Sequence, residues 1–247
     1  MMEAQSSPQE QLSRLFGSYK AEWLREQMFD LFSEPFYLPE LETPRPCVLL
    51  GGRGTGKTTV LKCMSYEGQY TLAAKSGKTP RDLQYLGLYY RVNTNRVTAF
   101  RCAGISDARW TRIFAHYMNI ELCGLIVKCL LWYRSKEPAA ESLSSDDCLL
   151  VSKALSLEPV DTLTLLAQSI VSARIELENY VNNVLDGDGP ALSLQGAPLD
   201  LLVERFSSLA EYKGRPIYFL IDEYENFLDY QQVVLNTLIK HCGAGYS

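Results

Sequence analysis

Residues 51 to 58 read Gly51-Gly52-Arg53-Gly54-Thr55-Gly56-Lys57-Thr58, a complete G-x-x-x-x-G-K-[ST] pattern. Gly51, Gly52, Gly54 and Gly56 permit backbone angles and close approaches that a Cβ would block, so successive N–H groups can turn toward one anion. Ahead of them, Pro46-Cys47-Val48-Leu49-Leu50 reads as a short buried parallel strand. Behind them, Thr58 to Met64 reads as the first turns of a helix whose N-terminal partial positive charge faces the same point. Strand, glycine-rich turn and helix in this order predict a phosphate cradle for a nucleoside triphosphate. Lys57 is placed to bridge the β- and γ-phosphates and Thr58 to offer its hydroxyl to Mg²⁺, with Arg53, Thr55 and Thr59 completing the binding loop. The plainer alternative is a β-to-α turn carrying an exposed lysine.

Such a site needs an acid to organise the metal, and the chain supplies one 165 positions after Lys57. Ile217-Tyr218-Phe219-Leu220-Ile221 is a second apolar run, approached through Gly214-Arg215-Pro216 and ending in Asp222-Glu223. A buried strand tipped by carboxylates puts both charges where it leaves the core, within reach of metal and solvent. Asp222 is the expected Mg²⁺ ligand, through water. Glu223 is the expected general base for an attacking water, with Lys57 sharing in catalysis. An ordinary strand end with solvated acids is the alternative.

The long stretch between these motifs decides the domain organisation. From Ser106 to Tyr212 the pattern is almost wholly helical, so a large α-helical insertion is expected between the two halves of an α/β core. Asp107 to Tyr133 is apolar nearly all round in its second half, which predicts burial between other helices. From an Asp161 cap to Leu185, the residues Leu163, Leu166, Ile170, Ala173, Leu177, Tyr180 and Val184 recur at three and four. Asp186-Gly187-Asp188-Gly189-Pro190 ends this heptad stripe. It suits either a partner surface or packing inside a helical unit. Leu199 to Tyr212 and Glu225 to Cys242 read as helices on either side of the Asp222 strand. The expected domains are an N-terminal helical segment over 1–33, a nucleotide-binding core over 34–104 and 213–247, and the helical insertion over 105–212.

Two further segments bear on the site. Glu34-Pro35-Phe36-Tyr37-Leu38-Pro39 reads as an extended lead-in, which makes Phe36 and Tyr37 candidates for contact with the base or for packing of the N-terminal helix. Leu86 to Val92 reads as the next strand and ends in Asn93-Thr94-Asn95. A polar side chain there can hydrogen-bond Glu223 and withhold it, so Asn93 and Asn95 are switch candidates. A turn using asparagine for its left-handed tolerance is the alternative.

With 247 residues, 47% hydrophobic and 21% charged, the chain can bury one substantial core plus an elaboration. The apolar stretch Leu122 to Tyr133, interrupted by Lys128, is too short to span a bilayer, and Met1 to Ser7 has no basic leader, so neither membrane association nor export is expected. Seven cysteines without a C-x-x-C, and only His116 and His241 to join them, argue for reduced thiols in a cytoplasm rather than a metal centre or a disulfide framework. Net charge is −5, yet Lys75, Lys78, Arg81, Arg91, Arg96, Arg101, Arg109 and Arg112 face only Asp82 and Asp107 within their segment. That basic run over 75–112 suits contact with DNA, or it balances the acidic second half.

Gly51 to Thr59, the run Tyr89-Tyr90-Arg91-Val92-Asn93-Thr94-Asn95, and Phe219-Leu220-Ile221-Asp222-Glu223-Tyr224-Glu225-Asn226 together resemble the AAA+ ATPases of the origin-recognition type found in bacteria. The wider STAND signalling ATPases are similar. The likeness covers about residues 34 to 242, is specific at the phosphate-loop (Walker A) and acidic-strand (Walker B) motifs, and is looser across the insertion. It implies a three-layer P-loop core with a parallel sheet, ATP and Mg²⁺ as cofactors, and hydrolysis coupled to assembly or remodelling on DNA, a protein partner or a homo-oligomer.

In that family the strand order is 5-1-4-3-2. After Asp222 this chain offers one helix and then Gly243 to Ser247, so the sensor, the arginine finger, the lid and the last two strands are expected to be missing. The C-terminal part of the core is then absent from a fragment or truncated product, or is supplied by another polypeptide. Two functional classes follow from the resemblance: an ATPase whose turnover drives remodelling, or a regulatory or defence switch in which ATP occupancy controls oligomerisation. A remnant without turnover is a third.

Overall fold

Leu86–Arg91 and Ile217–Asp222 carry apolar side chains on both faces, as strands covered on two sides do, and they form β1 and β2 of a parallel pair. The register sets Leu86 against Ile217 and Arg91 against Asp222, so the strands end together at the acid. The computed structural model describes residues 27–30, 32–74, 77–101, 104–183 and 189–240, and within them the sheet has two strands in a mixed α/β fold rich in helices.

Strand alternation sorts side chains between two cores. Leu86, Leu88, Tyr90 and Ile217 enter a large helical core, while Tyr85, Tyr89, Tyr218 and Leu220 meet Val60, Leu61 and Met64 on the opposite side. Among the described residues four α-helices precede β1: α1 (Gln27–Asp30), α2 (Leu38–Leu41), α3 (Lys57–Met64) and α4 (Tyr66–Ala74). The end of α3 crosses β1 so closely that a Cβ at Gly87 would collide with the Met64 carbonyl oxygen and stand 2.9 Å from Leu220 Cδ1.

After β1 come α5 (Thr94–Ala99), α6 (Asp107–Lys136), α7 (Ser145–Ala154), α8 (Leu163–Asn182) and α9 (Ala197–Ser208), and after β2 comes α10 (Asp229–Lys240). Ser106 caps α6 through the Arg109 amide, and Phe114, Met118, Cys123, Ile126 and Leu130 of that helix are buried. Its neighbours are α8, α9, α10 and β1. By length and composition α6 is apolar enough to cross a membrane, and most of that apolar window is buried among these neighbours. The stripe of α8 turns inward: Leu163, Leu166, Ile170 and Leu177 are buried, and α8 packs on α6. Its cap is Thr162, one residue beyond the expected Asp161.

A buried polar latch fastens the chain ahead of α9. The Ser193 amide donates to His116 Nδ1 at 3.1 Å, and the Ser193 hydroxyl lies 2.7 Å from the same nitrogen. Asn119 Nδ2 donates to Ser193 Oγ and to the Leu194 carbonyl, both at 2.9 Å, while Asn119 Oδ1 accepts the Gly196 amide at 3.1 Å. With Ser193 Oγ accepting from Asn119, its own proton is free to point at Nδ1, which leaves the imidazole neutral with its proton on Nε2. Burial of the ring, which is 2% exposed, lowers its pKa to about 4.

Two local expectations are corrected. Pro46 to Leu50 is not a strand, and Val48 and Leu50 are 83% and 86% exposed. An apolar run becomes a strand when a neighbouring backbone takes its hydrogen bonds, and no described strand lies beside this one. Glu34 to Pro39 is not extended throughout, because the Leu38 amide donates to the Pro35 carbonyl at 3.0 Å and turns the chain at Phe36-Tyr37 into α2. Pro39 falls in the first turn of that helix, where its missing N–H costs nothing. Residues 1–26 of the expected N-terminal segment, Lys75, Val184 to Asp188, His241, Cys242 and Gly243 to Ser247 lie outside the described residues.

Candidate functional site

The loop before α3 is exposed and shaped by its glycines. Gly54 and Gly56 have φ of 83° and 86°, a left-handed backbone that disfavours a side chain. Gly56 is the N-cap of α3, and its carbonyl accepts the Val60 amide at 3.0 Å. Within the loop, Thr55 Oγ1 donates to the Gly52 carbonyl at 2.9 Å, and a Cβ at Gly51 would press on that hydroxyl at 2.7 Å. The Lys57 ammonium lies over its own loop, donating to the carbonyls of Gly51 and Gly52, the latter at 3.0 Å. Thr58 and Thr59 are half-buried on the first turn of α3, and Arg53 is exposed in the turn at 53–54.

At the end of β2, Asp222 is 4% exposed. A buried carboxylate needs donors, and this one has two: the Glu223 amide to Oδ1 at 3.0 Å and the Tyr89 hydroxyl to Oδ2 at 2.8 Å. Glu223 has φ 59° and ψ 38°, a left-handed conformation that costs a non-glycine residue on the order of 1–2 kcal/mol. Its side chain is held at both oxygens. Arg91 Nη2 donates to Oε1 at 2.8 Å, and Asn226 Nδ2 donates to Oε2 at 3.2 Å.

Lys57, Asp222 and Glu223 line one cavity of about 520 Å³ that runs along the outer side of β2, between the 45–49 segment and α10. Its size suits a small-molecule ligand. Of the 51–58 loop Lys57 is the residue that lines it, together with the carboxylates of Asp222 and Glu223, while the glycines and Thr58 adjoin Lys57 in the chain without lining the cavity. An ammonium with two carboxylates suits the phosphates and Mg²⁺ of a nucleotide. No group of three or more His, Cys, Asp or Glu able to hold a metal occurs among the described residues. A divalent cation at Asp222 would therefore draw on ligand oxygens as well, which is how Mg²⁺ usually binds.

The remaining sequence candidates lie elsewhere. Phe36 is 94% exposed with its ring edge-on to Tyr37 at 5.5 Å; Tyr37 packs toward the α3 side of the sheet, and neither lines the cavity. Asn93 caps α5, its Oδ1 accepting the Arg96 amide at 3.3 Å, and Asn95 is exposed on that helix. The side chains that reach Glu223 are instead Arg91 and Asn226, and neither they nor Tyr89 were expected from sequence. One signal for Arg91 was present, a cation on the last residue of a strand that ends beside an acid. In the basic run, Arg81 pairs with Glu137 at 3.6 Å, Arg91 with Glu223 at 2.8 Å, Arg96 with Glu178 at 3.4 Å, and Arg109 donates to the Tyr180 hydroxyl at 2.9 Å, so at least four of its cations serve the protein's own groups.

Comparison with curated proteins and with solved structures gives no match. The profile of the ORC-CDC6-like family matches residues 14–247, nearly the whole chain. The loop at 51–58, the acidic end of β2 and this match agree, and the chain belongs to the ORC-CDC6-like family, consistent with an AAA+ P-loop ATPase.

Proposed function

We propose that this protein binds Mg²⁺-ATP between the 51–58 loop and the end of β2, and hydrolyses it to drive assembly or remodelling on DNA or a protein partner. The reading is carried by the convergence of Lys57, Asp222 and Glu223, far apart in sequence, on the wall of one cavity. Amides of Gly51 to Thr59 cradle the phosphates, and Lys57 exchanges the Gly51 and Gly52 carbonyls for phosphate oxygens. Thr58 and Asp222 hold Mg²⁺, which when bound offsets the negative charge on the transferring phosphoryl group.

Glu223 takes a proton from the attacking water once its carboxylate is free of Arg91 and Asn226. In this reading residues 34–104 and 213–247 form a three-layer nucleotide-binding core of a cytoplasmic protein, 105–212 form a helical insertion, and the working form is a homo-oligomer or a complex with a partner.

A second reading, in which ATP occupancy rather than turnover is the signal, is favoured by the double restraint on Glu223. Glu223→Gln separates the two when ATP binding and phosphate release are measured together. The hydrolytic reading expects ATP affinity within about threefold of wild type and phosphate release reduced by about 100-fold or more. Binding without release in the wild-type protein favours occupancy, and absence of ATP binding contradicts both.

A further inference from the structure

We infer that Tyr89 is a positioning residue for Asp222, holding the carboxylate in the one orientation from which it can serve a divalent cation; the inference rests on the nucleotide reading above. The sheet register makes the contact. Tyr89 pairs with Leu220, two residues before Asp222, so Tyr89, Leu220 and Asp222 share one face of the sheet and the phenol spans the diagonal between strands. Its hydroxyl meets Asp222 Oδ2 at 2.8 Å while the Glu223 amide meets Oδ1 at 3.0 Å.

With one donor on each oxygen, rotation of the carboxylate is restricted, and only the remaining lone pairs are left for a metal or its water. The ring itself is held from the other half of the site. It packs against the cluster that contains Val60 and Met64, and Lys62 Nζ stands 5.9 Å from its centroid, all on the helix that begins at Lys57. Tyr89 thus ties the phosphate-loop helix to the acid of β2. Partners that orient a metal-binding carboxylate typically change metal affinity 10- to 100-fold when removed.

The test measures Mn²⁺ binding by electron paramagnetic resonance in the protein–ADP complex, with ADP affinity in EDTA and ligand-free melting measured alongside. Tyr89→Phe keeps the ring and deletes the hydroxyl. It is expected to weaken Mn²⁺ about tenfold or more, with ADP affinity in EDTA close to wild type and ligand-free melting lowered by a few degrees, the cost of one donor removed from a buried carboxylate. Tyr85→Phe is the matched control, since its hydroxyl bonds to Glu42 at 3.1 Å from the same side of the sheet. That variant is expected to bind Mn²⁺ as wild type does.

Adding Tyr89→Phe to Asp222→Asn is expected to cause no further loss, because the hydroxyl acts through the carboxylate. Wild-type Mn²⁺ affinity in Tyr89→Phe, equal weakening in Tyr85→Phe, or full additivity with Asp222→Asn overturns the role of Tyr89 while leaving the site in place. If the wild-type complex holds Mn²⁺ no better than Asp222→Asn does, the nucleotide reading itself fails, and this inference with it.

Discussion

Arg91 and Glu223 meet where the two parallel strands end, the Arg91 guanidinium donating to Glu223 Oε1 at 2.8 Å beside the register pair Arg91–Asp222. Both side chains are about one-third exposed, so the pair restrains Glu223 by about 1 kcal/mol or less. With Glu223 as the proposed general base, its restraint would set a basal rate. Arg91→Ala is expected to raise phosphate release roughly two- to fivefold at saturating Mg²⁺-ATP, with nucleotide affinity unchanged. A steady-state assay checks this, and a lower rate would show that the guanidinium supports the reaction rather than restraining it.

Close packing of α3 on β1 depends on one missing methyl group. At Gly87 an added Cβ would strike the Met64 carbonyl, a backbone atom that cannot swing aside, and would crowd Leu220. Gly87→Ala is expected to cost about 3 kcal/mol, as overpacked cores do. Melting of the ligand-free protein should fall by about 5–10 °C. An unchanged melting temperature would mean that helix and strand are less tightly apposed than described.

The latch around His116 makes stability depend on pH. Its folded pKa, about 4, lies below the ordinary 6.5, so between these values the unfolded chain binds a proton that the folded chain does not. Stability from this group is complete above about pH 6.5 and is lost as pH falls toward 4, by about 3 kcal/mol in all. His116→Asn places a neutral acceptor near the Nδ1 position and removes the titration. The difference in melting temperature between wild type and variant should shrink from pH 7 to pH 4.5, and a constant difference would exclude His116 as the titrating group.

Local structure was legible in the sequence, and partnership across the sheet was not. The strands at Leu86 and Ile217, the long helix from Asp107 and the glycine loop all follow from patterns within a few residues. Pro46 to Leu50 has an equally apolar composition, but strand formation also requires a neighbouring backbone, which no local pattern supplies. Tyr89 with Asp222, Arg91 with Glu223 and His116 with Ser193 are joined by register and packing over separations of 133, 132 and 77 residues. The same gap explains Asn93: its position after a strand suits contact with Glu223, but its side chain is taken by the first turn of α5.

The central claim is that Lys57 holds the phosphates and Asp222 the metal of one magnesium–nucleotide complex, and thermal melting with Mg²⁺-ATP, compared with ATP in EDTA, tests it most directly. Wild type should be stabilised by about 2–3 kcal/mol at a hundredfold excess over the dissociation constant. Lys57→Ala should abolish the shift in both conditions, and Asp222→Asn should abolish only the part that depends on Mg²⁺. No shift in wild type at millimolar Mg²⁺-ATP, or the same shift in both variants, would contradict the account.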